Sequence, residues 1–497
     1  MSCSTGVISS TLVSIGSDLS NHPLSTLNKS LITSSTSLLA LLSSPFSGLL
    51  ADSLGRKPLI LLADALFILG ALWQSLSTTI WSMILGRAII GIAVGSASFV
   101  VPLYISELAP AKWRGRLVTI STLMITAGQV VAYIVGWGFS SVHGGWKWMV
   151  GLGAVPAALQ LCILLFMPET PRWLVRDGKV ERARKVLGRV YGGVGGGDVV
   201  EGILRIVGQS IKEEEAARKV GDFEGEGWWA SQWRGLRYTF RELVGVGGNR
   251  RALSVACMLQ GSQQLCGFNS LMYFSATIFA MVGFANPTAT SLVIASTNFL
   301  FTLATFHYID RIGRRRILLL SIPVMVFGLA LCAIAFKFVH LPQNHGSPPL
   351  LGRLLRESGP WPTLIVLSMI IYVASYALGL GCVPWQQSEL FPLSVRSLGS
   401  SIATATNWGS NTIVGLTFLP LMEAITPTGT FALYAGVCAA AWCAVWLIYP
   451  ETAGLGLEEV EEVLKDGWGV EESLRVFRER KRVGMVGRRG NCNNDGG

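Results

Sequence analysis

The sequence predicts an all-α membrane protein built from two halves of six helices each, and three observations lead to this prediction. Hydrophobic residues make up 51% of the 497 residues and charged residues only 14%, whereas a soluble domain has about 25% charged residues. Apolar runs that approach the roughly 20 residues of a bilayer span occur about twelve times. Short sequences between the runs of the first half also recur in the second half.

The apolar runs set the expected spans. In the first half the runs are 5–18, 32–51, 58–78, 80–106, 117–139 and 147–167. The first run is shorter than a span, which favours a truncated first helix and an incomplete or altered N-terminus. In the second half the runs are 252–283, 288–309, 316–337, 362–388, 398–421 and 430–449. The predicted domains are therefore an N-terminal half at 1–167, a linker at 168–250, a C-terminal half at 251–449 and a tail at 450–497.

The linker has its own pattern. Residues 179–219 alternate apolar and charged residues at helical spacing, which predicts short amphipathic helices under the bundle on the cytoplasmic side. The Gly-rich piece at 192–197 between them lacks the GK[ST] ending of a phosphate loop, so it predicts no nucleotide site. The cysteines form no CxxC pair and the histidines no ligand-spaced group. The sequence therefore predicts neither a metal, nor a cofactor, nor an enzyme.

The net charge of +10 is interpreted as membrane topology rather than nucleic-acid binding, because the basic residues occupy the short links between apolar runs. Cytoplasmic links carry an excess of Lys and Arg. One alternate set of links is far richer in these residues, which predicts that this set and both chain termini are cytoplasmic. The basic links are Arg56-Lys57, 112–116, 168–250, 311–316, Arg396 and the C-terminal tail.

Self-similarity is the most informative feature. ADSLGRKPLILL at 51–62 resembles IDRIGRRRILLL at 309–320, SELAPAKWRGRL at 106–117 resembles SELFPLSVRSLG at 388–399, and PETPRWL at 168–174 resembles PETAGLG at 450–456. Many secondary transporters are built from such repeats, with the substrate site at the repeat interface near the bilayer midplane.

These residues resemble the sugar-porter branch of the major facilitator superfamily, from Thr5 to about Asp466. More narrowly, the runs NSLMYFS at 269–275, VPWQQSELFP at 383–392, ATATNWGSN at 403–411 and ITPTGTF at 425–431 are similar to fungal myo-inositol carriers. The resemblance implies a major facilitator fold, a plasma-membrane location and proton-coupled import. The expected partners are the lipid bilayer, a neutral polyol or sugar, and protons, with no nucleic acid.

Each repeated link places acids beside arginines. Such groups can form bidentate pairs across the two halves, which predicts a gate that holds the cytoplasmic side shut. The simpler interpretation is that they are topology charges and loop caps. The second half has Arg311 where the first half has Ser53. The predicted gating residues of this face are Asp52, Arg56, Glu107, Arg114, Arg116, Glu169, Asp310, Arg314, Glu389, Arg396 and Glu451.

Amides within the spans predict the substrate site. Polar residues inside spans are costly and usually face a cavity, and amides suit neutral hydroxylated ligands because they both donate and accept hydrogen bonds. The alternative is that they join helices. Trp385 and Trp408 are candidates to stack on a ring, and Tyr273 and Phe274 to close the outer side. The predicted substrate-binding residues are Gln129, Gln263, Gln264, Asn269, Asn298, Trp385, Asn407 and Asn411.

Energy coupling departs from the family pattern. The resemblance implies an acid in the first span, paired with the arginine that matches Arg87, but Ser4 occupies the acid's position. A serine does not titrate near neutral pH, so the sequence predicts impaired proton coupling. The alternatives to an inositol carrier are a facilitative hexose carrier, a non-transporting nutrient sensor and a poorly inserted product.

Overall fold

The computed structural model describes residues 2–20, 22–191, 196–219, 228–339, 360–392, 394–453, 455, 457–465 and 467–479. Seven helices form the first half. They are α1 (Ser2–Ser14), α2 (Thr26–Leu54), α3 (Arg56–Ser75), α4 (Ile80–Leu108), α5 (Ala111–Phe139), α6 (Gly145–Gly151) and α7 (Ala154–Phe166).

The linker and the second half follow. The linker contains α8 (Pro171–Arg176), α9 (Val180–Tyr191), α10 (Gly196–Lys219) and α11 (Trp228–Gly245). The second half contains α12 (Gly247–Leu265), α13 (Phe268–Val282), α14 (Pro287–Ile312), α15 (Arg314–Phe338), α16 (Trp361–Leu378), a 3₁₀ helix (Val383–Leu390), α17 (Arg396–Ala424) and α18 (Thr426–Ile448), and α19 (Leu457–Lys465) lies in the tail. We call the end of the bundle that bears α8–α11 and α19 the linker face, and the other end the opposite face.

Nine helical segments of the described chain are long and apolar enough to cross a membrane, against the twelve spans expected. The other three expected spans are α1, α2 and α17. Helix α1 has only 13 residues and ends at Ser14 rather than at residue 18. Helices α2 and α17 have 29 residues each but are rich in Ser, Thr and Asn. They pack against each other between the halves, where polar side chains meet protein rather than lipid.

The packing of the helices repeats the internal symmetry of the sequence. In the first half α4 packs against α2 and α3, and α3 also packs against α7. In the second half α16 packs against α14 and α15 in the same way, and α15 packs against α18. The contacts between halves are also paired, because α2 with α17 is the counterpart of α14 with α5. The repeated motifs therefore occupy equivalent places in two similarly packed bundles.

Two helices of the second half are broken. The expected span 252–283 divides into α12 and α13 at Gly267, where φ is +86° and an added Cβ would lie 2.9 Å from the ring of Tyr434. Only glycine fits both the left-handed backbone and the close ring. The expected span 362–388 ends as an α-helix at Leu378 and resumes as the 3₁₀ helix. Broken helices at membrane depth are tolerated where they are buried in protein or line a cavity.

The predicted amphipathic helices of the linker are present as α9 and α10. The buried face of α9 consists of Ala183, Val186 and Leu187, which pack with Leu174 and Leu204. The polar face of α9 is exposed, and Arg184 there donates to Glu201 at 2.7 Å and also pairs with Glu181. Residues 192–195 of the Gly-rich piece lie outside the described residues. The cytoplasmic position of these helices stays a prediction.

Candidate functional site

Asn407 of α17 is the centre of a buried amide network. Its Nδ2 donates to Oε1 of Gln260 at 2.6 Å and to Oε1 of Gln263 at 2.8 Å. Its Oδ1 accepts from Nε2 of Gln264 at 3.0 Å. The three glutamines lie on one face of α12 because residues three and four apart are neighbours on a helix. All four side chains are buried, with exposed fractions of 6% or less.

Two of these glutamines also bind the broken helix that follows α16. Nε2 of Gln263 donates to the backbone oxygens of Leu380 at 2.8 Å and Gly381 at 3.3 Å. Nε2 of Gln260 donates to the backbone oxygen of Pro384 at 3.0 Å. A broken helix leaves carbonyl groups without intrahelical partners, so the two glutamines satisfy groups that the break exposes. Gln263 and Gln260 therefore fix the backbone of the broken segment 380–384 against α12.

Gln260 is the member of the network that the sequence analysis missed. It is the first glutamine of LQGSQQL, one turn before Gln263. The i, i+3, i+4 spacing of the three glutamines was the signal that would have found it.

Three more amide contacts extend the site. Asn269, at the start of α13, donates to Oε1 of Gln264 at 2.6 Å. Asn411, one turn beyond Asn407, donates to the hydroxyl of Tyr273 at 3.2 Å. Asn298 of α14 donates to Oε1 of Gln129 of α5 at 3.1 Å, and this bond joins the two halves. The seven predicted amides are therefore all buried or half-buried on facing helices. Four of them are joined in the network around Asn407, and Asn411 and the pair Gln129–Asn298 form separate contacts.

The network retains hydrogen-bonding capacity. A side-chain amide offers two N–H donors and a carbonyl oxygen. In the described structure one N–H of Asn269 and one of Asn298 are used, and no described residue donates to Oδ1 of Asn411, which is buried. The amide side chains are also uncharged. The arrangement therefore suits a neutral ligand whose hydroxyl groups donate and accept alternately.

The aromatic candidates have different outcomes. Trp408 is 7% exposed and packs with Phe67 and Ala93 of the first half. Its Nε1 donates to Oγ of Ser98 on α4 at 3.3 Å. Trp408 is therefore a contact between the halves, whereas its predicted ring stacking stays untested. The side chain of Trp385 lies outside the described residues.

At the linker face the first half forms an ion-pair cluster around Arg56. The buried guanidinium of Arg56 lies 3.0 Å from Glu107 and 3.2 Å from Asp52, and it donates to the backbone oxygen of Ala51. Asp52 also pairs with Arg176 of α8 at 3.2 Å. These pairs tie the ends of α2, α3 and α4 to the linker.

A glutamate caps the third span of each half, α3 and α15, at this face. Glu169 accepts from the backbone N–H of Lys57 at 3.0 Å, and Glu451 accepts from those of Arg314 at 2.9 Å and Arg315 at 3.1 Å. A carboxylate at a helix N-terminus satisfies free N–H groups and meets the positive end of the helix dipole. Burial raises the pKa of Glu169 above its usual value, although the N–H groups that it accepts from act in the opposite direction.

Glycine precedes each capped helix for a steric reason. Gly55 has φ +104° and Gly313 has φ +99°. A Cβ at these positions would lie 2.7 Å from Oε2 of Glu169 and 2.6 Å from Oε2 of Glu451, respectively. The repeated sequences GRK and GRR thus encode the same cap twice.

The residue after Arg56 and the residue after Arg314 are both cations, and each binds the last helix of its own half. Nζ of Lys57 donates to the backbone oxygen of Leu165 near the end of α7. Arg315 donates to the backbone oxygens of Val445, Trp446 and Tyr449 at the end of α18. Cations at helix C-termini stabilise the free carbonyl groups there. In both halves the link therefore fixes the start of one helix against the end of another, in addition to carrying charge.

The predicted gate stays a prediction. Among the predicted gating residues, the ion pairs of Asp52, Arg56 and Glu107 join groups of the first half with one another or with the linker. Arg396 donates to the backbone oxygen of Phe391 in its own half. The side chains of Arg114, Arg116, Asp310 and Glu389 lie outside the described residues.

Arg87 is buried in α4, with 3% of its surface exposed. Its Nε donates to the backbone oxygen of Ile32 at 3.2 Å and its Nη2 to that of Thr33 at 3.5 Å. Backbone carbonyls of α2 thus contribute to the environment of this guanidinium. The side chain of Ser4, the position at which an acid was expected, lies outside the described residues.

Comparison with known proteins assigns the family. A family model described as "Sugar (and other) transporter" matches residues 4–464. The chain is 44% identical over 480 residues to myo-inositol transporter 1 of Cryptococcus neoformans var. grubii, covering 96% of this chain and 81% of that protein. It is 43% identical over 479 residues to myo-inositol transporter 1 of Candida albicans, covering 96% of this chain and 83% of that protein.

Solved structures show the same fold. The proton:xylose symporter XylE bound to 6-bromo-6-deoxy-D-glucose matches with a TM-score of 0.73 and 24% identity, over 93% of this chain and 96% of that one. The partially occluded, inward-open xylose transporter XylE from E. coli matches with a TM-score of 0.73 and 23% identity, over 91% and 95% of the two chains. The chain therefore has the major facilitator fold and belongs to the sugar transporter family, as a multi-pass membrane carrier of sugars or polyols rather than an enzyme.

Proposed function

We propose that this protein carries myo-inositol across the membrane. The observation on which the proposal rests is the buried, uncharged amide network around Asn407, which has donors and acceptors available for a ring with hydroxyl groups. A carboxylate substrate would require cationic side chains in the network, and its members are all amides. The names of the two fungal relatives give independent support.

Transport in this proposal proceeds by alternating access between the linker face and the opposite face. The amide pair Gln129–Asn298 and the bond between Trp408 and Ser98 join the halves near the site. Rocking of one half against the other would break these bonds and open the network to one face at a time. The linker face, with its basic links, faces the cytoplasm together with both termini, and the membrane is the plasma membrane.

Uptake of labelled myo-inositol tests the substrate. The purified chain in liposomes should take up myo-inositol, and unlabelled myo-inositol should compete far better than glucose. Stronger competition by glucose would favour the facilitative hexose carrier instead. Absence of uptake of either compound by correctly inserted protein would contradict both transport proposals.

The amide network gives the first mutational prediction. Asn269→Ala removes an amide whose oxygen and second N–H are available to ligand, and we expect the KM for myo-inositol to rise by roughly tenfold, since a lost ligand hydrogen bond costs about 1–1.5 kcal/mol. Asn249→Ala is the matched control. Asn249 is a buried amide at the linker-face end of α12 and donates to the backbone of Glu242. An equal rise of KM in both variants would remove Asn269 from the site.

A further inference from the structure

An aspartate lies inside the membrane-spanning part of α3. Asp64 is eight residues from the start of the span Arg56–Ser75, which places it roughly 12 Å along the helix axis at 1.5 Å per residue. The hydrocarbon core is about 30 Å thick, so Asp64 lies at mid-depth. Its side chain is 7% exposed. Asp64 is not among the functional residues predicted from the sequence.

Asp64 has an unpartnered oxygen in this position. Its Oδ2 is buried and accepts no hydrogen bond from any described residue, whereas Asp52 and Glu107 of the linker face are paired, and Glu169 and Glu451 act as caps. An ionised carboxylate without donors is very costly in an apolar environment, and a protonated one is neutral. Burial without donors thus favours a carboxyl group that holds a proton and releases it when its surroundings change.

Three residues near Asp64 on α3 line a small cavity together with Arg87. On α3, Phe67, Ala71 and Gln74 follow Asp64 at intervals of three or four residues and therefore share its face. These three residues line a cavity of about 20 Å³ together with Arg87 of α4 and Val7 and Ile8 of α1. The volume is sufficient for one water molecule. The cavity thus lies between the face of α3 that bears Asp64 and the side chain of Arg87, and Asp64 itself is not part of its lining.

Among the described residues of the helices packed against α3, Arg87 is the charged group that lies inside a span. The helices packed against α3 are α2, α4, α6 and α7. Apart from Arg87, their described charged groups lie at the ends of the spans, and α7 has no charged residue. The titratable groups of these helices and of α3 itself are Lys29, Asp52, Arg56, Lys57, Arg87, Tyr104, Glu107, Lys147 and the exposed Cys162.

We propose that Asp64 binds and releases the coupling proton of this carrier, in place of the first-span acid that the sequence lacks at position 4. The proposal rests on the proposed inositol transport. In one conformation Asp64 is buried and protonated, and in the other the first half exposes it to water, where it loses the proton.

The test compares two transport measurements on the full-length chain in liposomes. Accumulation of myo-inositol under an imposed pH gradient requires coupling, and one pH unit supports roughly a tenfold concentration ratio for one proton per inositol. Counterflow at equal pH requires substrate binding and conformational exchange without net proton movement. Asp64→Asn should reduce accumulation to simple equilibration but retain counterflow within about twofold. Asp64→Glu should restore accumulation, and Asp198→Asn, an exposed acid of α10, should behave as the unmodified chain.

The outcomes separate the two proposals. Loss of accumulation with retained counterflow in Asp64→Asn supports the coupling role. Unchanged accumulation in Asp64→Asn, or an unmodified chain that equilibrates inositol without accumulating it, overturns that role and leaves inositol transport in place. Loss of counterflow in both Asp64→Asn and Asp64→Glu assigns Asp64 a structural role and also overturns the proposal. Absence of counterflow in the unmodified chain overturns the proposed function itself, and the coupling role with it.

Discussion

At the scale of single residues, the repeated links show why glycine is required at two equivalent positions. Gly55 and Gly313 both adopt a positive φ, and both lie against the carboxylate that caps the next helix. The repeat in the sequence predicted Glu169 and Glu451 as gating residues, with loop caps as the simpler interpretation. Their backbone contacts establish the cap, and any gating role would act in addition to it.

The cap predicts the effect of adding one methyl group. Gly313→Ala forces a non-glycine residue into a backbone region that costs about 1–3 kcal/mol, and its Cβ would displace the carboxylate of Glu451. We expect a lower melting temperature of the purified protein in detergent. Gly436→Ala is the control, because a Cβ at Gly436 of α18 meets no atom within 4 Å. Equal melting temperatures for the two variants would show that the cap contributes little to stability.

At the scale of helices, the breaks in α12–α13 and after α16 create the site. Each break leaves carbonyl groups without helical partners, and side chains from other helices satisfy them. Gln260 and Gln263 do so for the second break, and the hydroxyl of Tyr372 donates to the backbone oxygen of Cys266 at 2.9 Å at the first. The breaks and the amides are therefore one structural unit.

Removal of a single hydroxyl tests this view of the first break. Tyr372→Phe leaves the buried oxygen of Cys266 without this donor, and an unsatisfied buried group costs about 1–3 kcal/mol. We expect reduced thermal stability. Tyr308→Phe removes a hydroxyl from an exposed tyrosine and should leave the melting temperature unchanged. If both variants melt at the same temperature as the unmodified protein, another group must donate to the backbone oxygen of Cys266.

At the scale of helices, the positions of the helices were predictable from the sequence, but the contacts between them were not. Apolar runs predicted the helices because each run must be long enough for a bilayer, whereas the break after α16 interrupts a run that was expected as one span. The partners of the amides were not predictable. Asn407 binds residues more than 140 positions away, and such distances depend on how whole helices pack. Gln260 was predictable, because it lies three and four residues before Gln263 and Gln264 and shares their helix face.

At the scale of the molecule, the two halves meet closely at the opposite face. Ser9 of α1 lies 3.1 Å from Ser275 of α13, hydroxyl to hydroxyl, and the hydroxyl of Tyr133 donates to the backbone oxygen of Met272. Thr26 of α2 donates to Glu423 at the far end of α17. Alternating access requires that these contacts separate when this face opens. A measurement that detects whether these contacts separate would therefore test whether the opposite face opens during transport.

A reversible cross-link across this face tests alternating access. In Ser9→Cys/Ser275→Cys the two sulfur atoms replace hydroxyl oxygens 3.1 Å apart, a separation from which a disulfide forms with little movement of the backbone. Oxidation should abolish inositol uptake because the opposite face can no longer open, and reduction should restore it. Each single cysteine variant controls for reaction with native cysteines and should retain uptake under oxidation. Full uptake with the cross-link complete would show that α1 and α13 stay together during transport, and that the two halves separate elsewhere along the α2–α17 and α5–α14 contacts.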